Sequence, residues 1–226
     1  MTSLFIAFLL LSLLLPSLYL GYGYVLNRKK GYSFRSYFSY EMFGEEKTFS
    51  AILLRIIEAL AVFSLLLSGV FGLICEGGDL NLSLYFIAFC LLGLVASLSH
   101  YFLSFIDLSY AKAHFALFFL EAAALILFTA MNGFYFSSIY RNLNEPSFLL
   151  IAILSFLYLL IALLILVNPK MKDWAKLEKL TNEKGEISYP RPKRFVLPYS
   201  EWIIYFLLIL ANITSLIGLY LISLAR

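Results

Sequence analysis

Charged residues are scarce in this sequence. Asp, Glu, Lys and Arg together make up 14% of the 226 residues, whereas hydrophobic residues make up 62%. A water-soluble domain carries about 25% charged residues, so this composition leaves too little polar surface to cover a globule in water. The mean hydropathy of +0.88 agrees with this deficit. The scarcity of charge excludes an ordinary soluble domain and indicates a membrane protein.

Cysteine and histidine are also rare, with two residues of each. Cys75 and Cys90 are too few for a disulfide framework or a cysteine-rich metal site. The sequence also contains no phosphate-binding glycine loop and no serine nucleophile elbow. These absences predict a protein that holds no cofactor and binds no nucleic acid.

Long apolar runs are what the sequence has in abundance. A helix that crosses the hydrocarbon core needs about 20 such residues. Six segments qualify, and they predict an all-α, polytopic membrane helix bundle of about six transmembrane helices in one domain, 1–226. The predicted spans are 3–25, 51–75, 82–105, 113–135, 147–168 and 202–225.

The positions of the basic residues predict how the bundle is oriented. Of the 17 Lys and Arg residues, 14 lie in or beside the connections 26–50, 106–112 and 169–201. Loops rich in Lys and Arg stay on the cytoplasmic side, so these are predicted to be long basic inner loops, with both termini outside. We expect a multi-pass protein of the cell's cytoplasmic (plasma) membrane. The first apolar run has no basic start and no convincing cleavage site, which favours a retained span over a signal peptide.

Two of these inner loops carry residues that suit contact with lipid headgroups or with a partner. Aromatic and basic side chains alternate in the first loop, and segment 169–201 is long enough to form a small cytoplasmic cap, with one strand of a hairpin at "EISY". We expect these loops to meet the bilayer, with anionic lipid or other membrane subunits as further partners. The candidate contact residues are Arg28, Lys29, Lys30, Arg35, Trp174, Arg191, Lys193 and Arg194.

Four ionisable residues recur every seven positions in the apolar stretch 99–128: His100, Asp107, His114 and Glu121. Seven residues span about 10 Å of a helix, so a straight helix does not bring them to one metal ion. A straight helix over 82–135 would also be roughly 80 Å long, and the chain must therefore turn near 107–112.

That turn brings His100 and His114 to a similar depth, which leaves a two-histidine metal site as a weak alternative to no metal at all. Glu121 lies either well inside the fourth span or, if that span is 122–140, at its inner edge. The candidate polar cluster, predicted to open toward the inside, consists of Arg55, Glu58, His100, Asp107, His114 and Glu121.

Three functions fit these features. The first is a non-catalytic subunit or scaffold of a membrane complex, favoured by the absence of motifs. The second is a small proton- or ion-coupled transporter that uses Glu121 as a protonatable group, because ionisable groups inside a membrane are functional by default. The third is an intramembrane enzyme that acts on a lipid headgroup from the inner face. The sequence does not decide whether the protein is an enzyme.

Overall fold

The computed structural model describes residues 2–43, 49–75, 80–106, 108–173, 180–181, 187–188 and 196–225. It confirms the all-α helix bundle. Five helices, all but α3, are long and apolar enough to cross a membrane, and the described apolar part of α3 is the shorter stretch Ile87–Leu103. The helices are α1 (Thr2–Asn27), α2 (Phe49–Cys75), α3 (Leu80–Leu103), α4 (Ala111–Leu143), α5 (Pro146–Leu166) and α6 (Val196–Ala225).

Two helix ends, the end of α4 and the start of α6, differ from the predicted spans. Helix α4 continues past position 135 to Leu143, where Asn144 adopts a left-handed conformation (φ 56°) and Pro146 begins α5. Asn tolerates this conformation, and Pro suits the first turn of a helix. Helix α6 begins at Val196 and includes Pro198, which the sequence suggested lay in the loop. Its missing N–H is harmless in a first turn.

Helix α6 is the central helix of the bundle. Each of α1 to α5 packs against the next helix in the chain and also against α6. The small residue Gly218 of α6 lies against the ring of Phe136 on α4, and Gly133 of α4 lies against Phe156 on α5. Because α6 contacts all the other helices, its side chains occupy the interior of the bundle.

The two ends of the bundle differ in their connections. The helix ends that are joined through residues 28–48, 104–110 and 167–195 lie at one end, which we call the basic end. The helix ends that are joined through residues 76–79 and 144–145 lie at the other, which we call the opposite end. Within the third of the basic-end connections, Leu180–Thr181 (β1) pairs antiparallel with Ile187–Ser188 (β2). The predicted hairpin is thus present, and β2 lies in the "EISY" segment. That this segment acts as a cytoplasmic cap remains a prediction.

Residues 28–43 form a folded plug over the basic end, which we call the N-terminal plug. Phe38 and Met42 of this segment are buried. Asn27 at the end of α1 donates a hydrogen bond of 2.6 Å to the carbonyl oxygen of Met42, and Trp202 of α6 donates one of 2.9 Å to the carbonyl oxygen of Tyr37. Aromatic residues of this segment, such as Phe38, fill the end of the bundle. That the first inner loop also contacts the bilayer remains a prediction.

Candidate functional site

The turn between α3 and α4 places the two histidines on neighbouring helices. Helix α3 ends at Leu103, residues 108–110 form a short 3-10 turn, and α4 begins at Ala111. His100 and His114 are both fully buried. They do not pair with each other, because each imidazole faces a glutamate on a different helix.

His114 pairs with Glu201 across α4 and α6. Its Nδ1 lies 2.7 Å from the carbonyl oxygen of Ile106, which accepts hydrogen bonds only, so Nδ1 carries a hydrogen. Its Nε2 lies 3.3 Å from Glu201 Oε2, and this contact requires one proton, held by either the imidazole or the carboxyl group. Glu201 Oε1 accepts a hydrogen bond of 2.9 Å from the backbone N–H of Ser39. The pair therefore connects α4, α6 and the N-terminal plug.

His100 pairs with Glu121 across α3 and α4. The distance from His100 Nδ1 to Glu121 Oε1 is 3.1 Å, and both side chains are fully buried. The ring of Tyr205 on α6 stacks on the imidazole, with the ring centres 3.8 Å apart and the planes 10° apart. Glu121 lies in the interior of α4, about 15 Å along the helix from Ala111. Its depth in the membrane remains a prediction.

Arg55 and Glu58 form a third acid–base pair on α2. The guanidinium Nη1 lies 3.2 Å from Glu58 Oε2, and Arg55 also donates hydrogen bonds to the hydroxyl and the carbonyl oxygen of Ser104. The Phe43 and Phe105 rings pack on the guanidinium, with ring centres 3.3 and 3.9 Å from Cζ. The side chain of Arg55 remains 26% exposed, whereas that of Glu58 is 0% exposed. Arg55 therefore separates Glu58 from the surface.

Several buried polar atoms of this cluster have no hydrogen-bond partner among the residues that the structure describes. The atoms are His100 Nε2, Glu121 Oε2 and Tyr205 Oη, whereas the Tyr19 hydroxyl and the Glu58 carboxylate face each other with a weaker contact. Tyr205 interacts electrostatically with both Glu58 and Glu121. Buried polar groups are normally paired, so three unpaired atoms in one region indicate a place that takes up protons, water or a ligand.

A cavity of about 440 Å³ lies at the basic end, on the exposed side of Arg55. Its walls come from the end of α1, the N-terminal plug, α2 and the connection between α3 and α4. Five aromatic rings line it together with the charged side chains of Lys30, Glu41 and Arg55. The aromatic residues are Tyr32, Tyr37, Tyr40, Phe43 and Phe105. The volume suits a small organic molecule.

The half of the bundle toward the opposite end is almost free of charge. Within the described residues, the ionisable groups there that carry a charge at neutral pH are Arg141 and Glu145, both at the surface of that end. Buried polar contacts in this half join neutral groups, such as Asn132 and Ser155, whose amide and hydroxyl groups lie 2.8 Å apart. The ionisable cluster is thus confined to the half near the basic end.

The sequence-based site residues fall into three groups. Arg55, Glu58, His100, His114 and Glu121 form the cluster, as described above. Among the predicted contact residues, Arg28, Lys29, Lys30 and Arg35 are exposed at the basic end, and Lys30 also lines the cavity. The others lie outside the described residues: Asp107, Trp174, Arg191, Lys193 and Arg194.

Other members of the site carried no sequence signal strong enough to identify them. Glu201 stands in the sequence as an ionisable residue near the inner edge of the last span, and His114 was already a candidate, but the pairing of these two residues could not be predicted. Tyr19, Tyr205 and Ser104 are common residue types in apolar helices and turns, and their role depends on packing between helices.

No group of three or more His, Cys, Asp or Glu side chains among the described residues is arranged to hold a metal ion. The two histidines of the weaker metal alternative do not face each other, since each imidazole contacts a glutamate on a different helix. Comparisons with known protein families, with curated proteins and with solved structures found no match.

Proposed function

We propose that this chain is a proton-coupled carrier of small solutes, in which Glu58, His100 and Glu121 bind and release the coupled proton. The observation that supports this proposal is the buried His100–Glu121 pair, in which each side chain has one polar atom without a described partner. An imidazole and a carboxyl group in contact exchange a proton readily, and ionisable groups inside a membrane mark ion and proton pathways.

The position of the pair inside the bundle supports the same function. Glu121 lies about 15 Å along α4 from Ala111, and its side chain and that of His100 are fully buried. Secondary transporters also hold their coupling sites in the interior of the helix bundle. The uncharged half toward the opposite end would then be the closed side of the carrier, and the cavity beside Arg55 its open side.

The two other functions inferred from the sequence explain the buried ionisable cluster less well. A subunit or scaffold has no requirement for buried carboxylates with unpaired atoms. An enzyme that acts on a lipid headgroup needs reacting groups that the headgroup reaches, whereas Glu58, His100 and Glu121 are fully buried. We place the carrier in the cytoplasmic membrane with its basic end inside, because of the distribution of Lys and Arg.

Proteoliposomes that enclose a pH-sensitive dye test this proposal. Gradients of carboxylates, phosphate, amines, amino acids and sugars are applied in turn, and the dye reports proton movement. We expect at least one solute class to move protons with the wild-type protein. Glu121→Gln should abolish this movement, because glutamine holds no dissociable proton.

The matched control is Glu145→Gln, since Glu145 is exposed at the opposite end and its side chain does not cap α5. This variant should behave as the wild type does. The proposal is wrong if no solute class moves protons, or if Glu121→Gln moves them at the wild-type rate.

A further inference from the structure

Arg55 connects the cavity at the basic end with the buried cluster behind it. Among the described residues, the carboxylate that pairs with Arg55 is that of Glu58, which is fully buried. We infer that the cavity binds a small molecule through its carboxylate or phosphate group at Arg55, and that this binding is accompanied by the uptake of one proton by Glu58. This inference rests on the proposed carrier function and names its substrate class.

The hydrogen bonds of Arg55 leave room for an anion. A guanidinium has five N–H groups, and the contacts with Glu58 and Ser104 use three of them. The remaining two have no acceptor among the described residues. Because Phe43 and Phe105 cover both faces of the guanidinium, an added group meets it along its edge, where a carboxylate or phosphate binds in the plane.

The walls of the cavity define the rest of the ligand. Arg55 is paired with Glu58, and the other two charged side chains of the wall, Lys30 and Glu41, have opposite signs. What favours an anion is therefore the pair of Arg55 N–H groups that have no acceptor among the described residues. Glu41 already accepts a hydrogen bond of 2.7 Å from the backbone N–H of Phe38. Aromatic rings form much of the surface, and they suit an apolar or aromatic body that carries the charged group.

The coupling follows from the position of Glu58. A ligand oxyanion at Arg55 adds a second negative charge beside the fully buried carboxylate of Glu58. Two carboxylates that share a site tend to hold one proton. The groups that face Glu58 are those of Arg55, Tyr19 on α1, His100 on α3, Ser104 directly after α3, and Tyr205 on α6. None of them adds a positive charge besides Arg55 and a protonated His100.

The overall step is balanced in charge. The ligand brings one negative charge to Arg55, one proton passes from the solvent at the basic end to a carboxylate oxygen of Glu58, and no covalent bond other than the new O–H is formed. Anion and proton are therefore bound together as a neutral pair.

Calorimetry of the purified protein in detergent tests this inference. The probes are benzoate, inorganic phosphate and dihexanoyl phosphatidate, with benzylamine as the cation of matched shape. Titrations in two buffers of different ionisation enthalpy give the number of protons taken up for each ligand bound. We expect at least one anion to bind with about one proton, and benzylamine not to bind. Binding of phosphatidate alone would identify a lipid headgroup as the source of the anion. Binding of benzoate or phosphate would identify a soluble molecule as the source.

Variants separate the two parts of the inference. Arg55→Gln should weaken anion binding by about tenfold to a hundredfold, the value of one or two hydrogen bonds to a charged group. Glu58→Gln should bind the anion without proton uptake. If Arg55→Gln does not fold because Glu58 is left unpaired, the double variant with Glu58→Gln removes both charges and should also fail to bind. Arg141→Gln, at an exposed position of the opposite end, is the matched control.

The inference is overturned if no anion binds, if the variants that lack Arg55 bind as the wild type does, or if Glu58→Gln still takes up a proton. These results are independent of transport. Anion binding with proton uptake in detergent, but no proton movement in proteoliposomes, contradicts the carrier and leaves the anion site standing. If a solute drives proton movement and this movement does not need Arg55, the carrier function stands and the anion site is contradicted.

Discussion

The two buried histidine–glutamate pairs differ in how completely their polar atoms are used. In the His114–Glu201 pair, both imidazole nitrogens and both carboxylate oxygens contact described partners. In the His100–Glu121 pair, one atom on each side has none. A saturated network fixes structure, whereas an unsaturated one has capacity for a proton or a ligand. We therefore assign the first pair to stability and the second to function.

Substitution of Glu201 tests the assignment to stability. Glu201→Ala should lower the free energy of unfolding by about 3–5 kcal/mol, because it removes one partner of a buried pair and leaves the Ser39 N–H without an acceptor. Glu201→Gln should cost no more than about 1 kcal/mol, since its amide can accept from Ser39 and donate to His114 Nε2. Denaturation of the purified protein in detergent measures both changes. Equal losses for the two variants would contradict this assignment.

At the residue scale, sequence patterns predicted only part of the site. His100 and Glu121 were identified because ionisable residues stand out in an apolar stretch, and the turn between them follows from the thickness of a membrane. The partner of His114 is 87 positions away, on α6. Only the packing of helices brings these two together, and no spacing along the chain encodes it.

At the scale of elements, the central position of α6 was also beyond prediction. The most apolar helix is α5, whose most apolar stretch has a mean hydropathy of 3.1, compared with 2.2 for α6. Nevertheless, a smaller share of that stretch is buried in α5 than in α6. In a membrane, the lipid is as apolar as the protein interior, so hydrophobicity does not identify the buried helix. The six helices themselves could be predicted, because the length and the apolar composition of each run are enough to identify a helix.

The contact between α6 and α4 depends on a small residue. A methyl group at Gly218 would overlap the ring of Phe136, which is only 1% exposed. Gly218→Ala should therefore destabilise the protein by about 1–3 kcal/mol, the usual cost of overpacking. Thermal denaturation in detergent measures this change.

Gly21 provides the control for that substitution. An added methyl group meets nothing within 4 Å there, so Gly21→Ala should be neutral or stabilising by up to about 1 kcal/mol through its higher helix propensity. If Gly218→Ala is as stable as Gly21→Ala, α4 and α6 do not pack as closely as described.

At the scale of the whole molecule, charge is distributed unevenly between the two ends. The basic connections, the cavity and all three acid–base pairs lie toward one end, while the other half is nearly neutral. Inner loops of membrane proteins are rich in Lys and Arg, so this end is predicted to face the cytoplasm. The proposed direction of the open cavity depends on that orientation.

Labelling of single cysteines tests the orientation. In a variant with Cys75 and Cys90 replaced by Ser, Glu145→Cys should react with a membrane-impermeant maleimide in intact cells. Lys29→Cys should react only after the cells are permeabilised. Both positions are exposed, so a failure to react reports the side of the membrane rather than burial. Labelling of position 29 in intact cells would reverse the predicted topology.

The central place of α6 also has a consequence for how the protein is made. The ribosome produces α1 to α5 before α6, and α6 provides both Tyr205, which stacks on His100, and Glu201, which pairs with His114. Until α6 enters the membrane, His114 therefore lacks its carboxylate and His100 its aromatic cover. During biogenesis the nascent chain thus passes through a stage in which the polar interior is open, and insertion of α6 closes it.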